Sequence, residues 1–191
     1  GADSLRLYEL FMGPLEQVKP WQMNGVEGVL RFLQRVWRLV VNEETGTLTS
    51  RLTDAPASSE AAVNKALHKL IQKVEQDTLG MRFNTAISHM MTFVNEATSA
   101  KTLPRAIALE FMRVLSPYAP HLAEELWQRL GGTGFVSLAD WPKFDPSLVV
   151  DDAVTYAVQV NGKLRAEVQV PVAAAEAEVR AAVEADDRVK S

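Results

Sequence analysis

Cysteine is absent from the 191 residues, which removes disulfides, thiolate nucleophiles and Cys-ligated zinc, and is compatible with a reducing cytoplasm. No apolar run approaches the roughly 18 residues of a membrane span, and no leader-like segment opens the chain. A basic excess is missing too. The net charge is -4, with 15 Lys/Arg against 16 Asp/Glu in residues 1–150 and 5 against 8 in 151–191, so any surface that attracts phosphates has to be local. Gly1 stands where a Met would begin a chain, which reads as a fragment boundary.

What is present is helical periodicity. Asp3 is placed to cap a short helix carrying Leu5, Tyr8 and Phe11 or Met12, stopped at Gly13-Pro14. Asn24 with Glu27 resembles a capping box ahead of Val29, Leu33, Val36 and Val40, one apolar stripe. Residues 43–57, rich in Thr, Ser, Gly and Pro, read as a flexible connection. Beyond Ser58, Val63, Leu67, Leu70, Ile71 and Val74 mark a helix, and Phe83, Ile87, Met90, Met91 and Val94 mark the next. Thr102 opens another, with Pro104 in its first turn and Leu103, Ile107, Phe111 and Val114 inward; Leu122, Leu126 and Leu130 form the last, ended by Gly131-Gly132. The expected fold is mainly α: about six helices in an antiparallel bundle over 1–150.

From residue 151 the period becomes two. Val154, Tyr156, Val158 and Val160 alternate with polar or small residues, Asn161-Gly162 signals a hairpin, and Leu164 to Val170 returns. A strict two-residue turn sets Val158 against Arg165, an apolar–charged mismatch that a bulge or a longer loop removes. With a helix over Glu176 to Ala185, residues 151–191 form a small α/β module. A lone hairpin is marginal in water, so further strands are expected beyond this segment.

Chemistry is scarce. Gly162-Lys163 lacks the first glycine and the Ser/Thr of a phosphate-binding loop, and the Gly131–Gly134 run follows a helix when anion binding needs it to precede one. No HExxH pair is present, and a metal on His121, Glu124 and Glu125 is outweighed by capping and surface pairing. The expectation is no catalytic residue, metal ligand or cofactor site. The cations are patterned, however: Arg31, Arg35 and Arg38 form one ridge and Lys65, Lys69 and Lys73 another. With Lys163 and Arg165 these are the candidate phosphate contacts, the alternative being solvated helix faces. Trp21, Trp37, Trp127 and Trp141 can stack on bases, although such positions more often serve packing.

Three strings carry a family resemblance. GADSLRLYELFMGP (Gly1–Pro14) resembles the segment after the signature loop of leucyl-tRNA synthetase catalytic domains. GVEGVLRFLQRVWRLV (Gly25–Val40) and LSPYAPHLAEELWQRL (Leu115–Leu130) are similar to the first long helix and the closing helix of the anticodon-binding bundle in the leucyl, isoleucyl and valyl subgroup. VQVNGKLR (Val158–Arg165) followed by an alanine-rich helix resembles the small C-terminal domain of bacterial leucyl enzymes. The resemblance implies a class I synthetase anticodon-binding bundle and a truncated C-terminal module. Its implied role is to dock and orient tRNA(Leu) for leucylation in the cytoplasm by catalytic and editing domains elsewhere in a parent that uses ATP and Mg2+. This segment by itself is then inactive. The alternatives are the same region of a valyl- or isoleucyl-tRNA synthetase, or a helical protein-interaction adaptor.

Overall fold

Apolar residues three and four apart bury best on helices, and among the described residues of the first part of the chain six α-helices are formed: α1 (Ala2–Phe11), α2 (Met23–Val40), α3 (Ala61–Leu79), α4 (Phe83–Ser99), α5 (Arg105–Leu115) and α6 (Pro120–Arg129). The computed structural model describes residues 1–14, 17–18, 20–21, 23–150, 153–160, 163–172 and 174–186, with the backbone alone at Met23, Asn24, Ala153, Thr155, Val160, Lys163, Leu164 and Pro171. It divides into two compact units, Gly1–Val149 and Val150–Ser191.

The core of the first unit follows the stripes expected on α2 to α5, whereas on α1 Leu7 and Tyr8 are buried and Leu5 is exposed. Val29, Val36 and Val40 of α2, Leu67, Leu70, Ile71 and Val74 of α3, Ile87, Met90 and Val94 of α4, and Ile107, Phe111 and Val114 of α5 are all buried. Each such side chain contributes roughly 1.5–3 kcal/mol on burial. The Phe93 and Phe111 rings meet across α4 and α5 at 4.8 Å.

Four local expectations are corrected. Asp3 lies inside α1, whose N-cap is Gly1, and its nearly buried carboxylate caps a different helix. Asp3 Oδ2 accepts from the Leu122 amide at 2.8 Å, while Oδ1 accepts from the His121 amide at 3.4 Å and lies 2.8 Å from His121 Nδ1. The first turn of α6 thus gains a tertiary cap, which also fastens α1. Asn24 is already helical in α2, so it cannot be the N-cap, a position with non-helical backbone. Leu103-Pro104 forms a short strand, β2, and Pro104 caps α5 from outside its first turn. Thr102 Oγ1 donates to Glu60.

The 43–57 connection is pinned at several points. Asn42 Oδ1 accepts from the Glu44 amide at 2.9 Å, and the chain reverses through Gly46 (φ +69°) so that Val41 bridges Leu48. Strand β1 (Leu52–Thr53) then pairs in parallel with β2. Arg51 Nη2 donates to the Ala97 and Ala100 carbonyls at 2.7 and 2.6 Å, placing a cation on the last turn of α4 where the helix dipole favours it.

In the second unit β3 (Ala153–Val160) and β4 (Lys163–Pro171) form an antiparallel hairpin. Val160 pairs with Lys163, as a two-residue connection requires; Asn161 and Gly162 themselves lie outside the described residues. A register shift between Val158 and Gln159 sets Val158 opposite Ala166, so a bulge keeps it away from Arg165. Ala166, Val168 and Val170 are buried and pack against the partly buried Val179, Ala182 and Val183 of α7 (Glu176–Ala185), which covers the β4 side of the hairpin. Val154 and Tyr156, on the same face of β3, stay substantially exposed.

Asp3→Ala is expected to cost about 1–2 kcal/mol, since two α6 amides lose their acceptor. Asp3→Asn, which keeps a capping oxygen, should cost less. Urea unfolding of the three proteins measures this, and equal midpoints for Asp3→Ala and the parent would mean that the cap contributes nothing to stability.

Candidate functional site

Exposed cations distinguish the surface, because the core accounts for the apolar stripes. On α2, Arg31 and Arg38 are exposed and Arg35 is half-buried. Arg38 is engaged, its Nε 2.7 Å from Glu43 Oε2, so the ridge presents less uncompensated charge than its spacing implies. On β4, Arg165 is exposed, whereas the side chain of Lys163 lies outside the described residues.

The α3 lysines are brought into a different setting. Lys65 and Lys69 are partly buried and Lys73 is exposed, and all three line an open groove of about 280 Å³ between α3 and α4. Its opposite wall is supplied by His89, Thr92, Phe93 and Glu96. The sequence pattern missed His89, because which helix faces the lysines is settled by tertiary packing that no spacing along α3 reveals.

At one end of the groove a polar network sits on buried Asp77. Asp77 Oδ1 accepts from Arg82 Nε at 2.8 Å; Oδ2 is buried with no hydrogen-bond partner and lies 3.5 Å from His89 Nε2. Burial, and then the Lys73 ammonium, hold the His89 imidazole below its ordinary pKa; the Asp77 carboxylate pulls the other way and is outweighed. Next to Asp77, Thr78 Oγ1 meets the Tyr118 hydroxyl at 2.6 Å, and burial pushes the Tyr118 phenol upward.

The tryptophans divide. Trp127 is buried and donates to the Gly134 carbonyl at 3.2 Å, with the Arg113 guanidinium 5.4 Å from its ring. Trp37 lies under Arg129 at 5.0 Å. Trp141 is half-buried on the edge of the core. Trp21 is exposed and stands edge-on to Tyr8 at 4.6 Å. The first three are therefore packing residues.

The helical face imagined for a metal is spent otherwise. His121 bonds Asp3, Glu124 Oε2 accepts from the Val136 amide at 3.0 Å, and Glu125 pairs with Arg129 at 2.6 Å. Among the described residues, no group of three or more His, Cys, Asp or Glu is placed to hold a metal. Nor, among them, is any helix long and apolar enough to cross a membrane.

Fold and site together define a helical binding bundle with cations arrayed along two of its helices. The chain belongs to the family of anticodon-binding domains of tRNA ligases, whose profile matches residues 60–181. Similar proteins include the leucine–tRNA ligase of Chlorobaculum parvum, 53% identical over 90% of this chain and 21% of that protein. The leucine–tRNA ligase of Chlorobaculum tepidum is 48% identical over the whole chain and 23% of its own length. The crystal structure of the Agrobacterium radiobacter AgnB2 LeuRS–tRNA–LeuAMS ternary complex superposes on the whole chain with a TM-score of 0.71 and 28% identity, over 26% of the neighbour's chain. The chain thus spans about a fifth to a quarter of the length of these relatives. These matches favour the leucyl branch over the valyl and isoleucyl alternatives.

A group whose folded pKa lies below its unfolded value stabilises the fold above that unfolded value and loses the contribution as pH falls. For His89 the loss begins near the ordinary imidazole value of about 6.5 and continues downward. Urea midpoints measured from about pH 8 to about pH 5 should fall less steeply below neutrality in His89→Gln than in the parent protein. Parallel curves would place the acid sensitivity elsewhere.

Proposed function

We propose that this chain docks and orients tRNA(Leu) for a leucine–tRNA ligase whose catalytic and editing domains lie elsewhere in the same polypeptide. The observation that supports this most directly is the match of the whole chain, at a TM-score of 0.71, to part of a LeuRS captured with tRNA. The cations on α2, on β4 and in the α3–α4 groove provide contacts for a sugar-phosphate backbone, and these act irrespective of base sequence.

An acidic net charge is compatible with this reading because the cations are clustered. Screening confines a surface charge to about 8–10 Å at moderate salt, so a local cluster governs local attraction. The parent polypeptide would use ATP and Mg2+ at a site this chain does not supply, and would work in the cytoplasm with the rest of translation.

A tRNA(Leu) transcript titrated into the full-length gene product across a range of salt concentrations tests the reading. The logarithm of the affinity should fall linearly with the logarithm of salt, and Arg31→Glu with Arg35→Glu should weaken binding and make that slope shallower by about 0.7–0.9 for each phosphate left without its cation. No binding of the transcript at low ionic strength would overturn the reading; unchanged behaviour of the double variant would remove only the α2 ridge.

A further inference from the structure

Resting on the RNA-docking reading, we propose that the α3–α4 groove is the track for consecutive phosphates of one RNA strand, and that His89 joins Lys65, Lys69 and Lys73 there by taking up a proton when the strand arrives.

The first argument is shape. The lysines recur every fourth residue, so they advance by about 6 Å per step along α3, comparable with the separation of successive phosphates along a strand. The groove is lined from Ala62 to Lys73, about 16 Å of helix, and is open along its length. A single small anion would engage one or two of these lysines, whereas a strand engages the series.

The second argument is the state in which His89 is held. Its Nε2 lies 3.5 Å from Asp77 Oδ2, a buried acceptor with no hydrogen-bond partner, so the ring faces a carboxylate that favours the imidazolium over the neutral form. Desolvation and the Lys73 ammonium keep the proton away in the free protein. The remaining charges nearby are Lys65, Lys69 and Glu96 in the groove and Arg82 on the far side of Asp77, with the Tyr118 hydroxyl reaching this region through Thr78. A phosphate beside Lys73 carries one negative charge and so offsets the repulsion that opposes protonation. The imidazolium then has two N–H donors, one for Asp77 Oδ2 and one for the groove. Bound strand and bound proton therefore favour each other, and such coupling is reciprocal.

The test uses the full-length gene product and a tRNA(Leu) transcript at about pH 6 and about pH 8, on either side of the ordinary imidazole value. The parent protein should bind more tightly at the lower pH, by up to about tenfold for each unit by which the strand raises the imidazole pKa. His89→Gln should abolish this difference. The combined Lys65→Gln, Lys69→Gln and Lys73→Gln variant should bind more weakly and lose about 2–3 from its salt slope. Independently, the His89 ring resonance followed by NMR should titrate at higher pH in the presence of the transcript, and in Lys73→Gln without it. Undiminished binding by the triple lysine variant would overturn the groove while leaving tRNA docking intact. Persistence of the pH difference in His89→Gln would overturn the role of the histidine. No binding by the parent protein at low salt would defeat the docking reading first, and this inference with it.

Discussion

Burying the carboxylate of Asp77 is the constraint around which one end of the bundle is arranged. A desolvated carboxylate costs several kcal/mol unless hydrogen bonds and countercharge offset it. The chain therefore turns back immediately: Met81 takes φ +57°, a left-handed conformation unusual for a non-glycine residue, and the Arg82 amide bonds the Asp77 carbonyl at 2.7 Å. That turn delivers the Arg82 guanidinium to Asp77 Oδ1 and starts α4 with its stripe facing α3. The helix pairing that forms the lysine groove follows from the same turn, and so does the position of His89 beside the second oxygen.

The same logic, in which a helix end is completed by a residue distant in sequence, recurs through the fold. Asp3 completes α6, and Arg51 takes the carbonyls at the end of α4. Arg6 donates to the Pro117 carbonyl at 2.9 Å. These bonds link elements separated by dozens of residues, so each of these helix ends has part of its termination supplied by the tertiary structure. Their energetic worth lies less in the bond than in the unsatisfied group left behind when one partner is removed.

Helix ends also mark the boundary of what the sequence makes legible. The stripes on α2 to α6 and the alternation on β3 were legible because burial imposes periods of 3.6 and 2 directly on residue type. The hairpin conflict at Val158 and Arg165 was legible as well, and the register shift is one of the two resolutions the pattern allowed. The cap at Asp3 is not legible from local spacing, which ties a cap to the helix next to it, whereas Asp3 serves one more than a hundred residues away. The Ser/Thr/Gly/Pro content of 43–57 spoke of turns, but not of the Arg51 anchor that holds them. Of the candidate phosphate contacts, the spacing of the lysines was visible. The wall that turns them into a groove, and the ion pair that occupies Arg38, are products of folding.

An acidic chain that carries its cations in a few places has a physical consequence for selectivity. Lysines four apart on one helix face repel each other by a few tenths of a kcal/mol per pair, and the groove confines this repulsion beside a histidine kept neutral by burial and by that charge. An anion that neutralises one lysine relieves little. A polyanion that lies along all three meets each cation in turn and lowers the opposition to a proton on His89, so a ligand of that length and charge spacing gains more than a single anion. Discrimination of this kind needs no contact with a base.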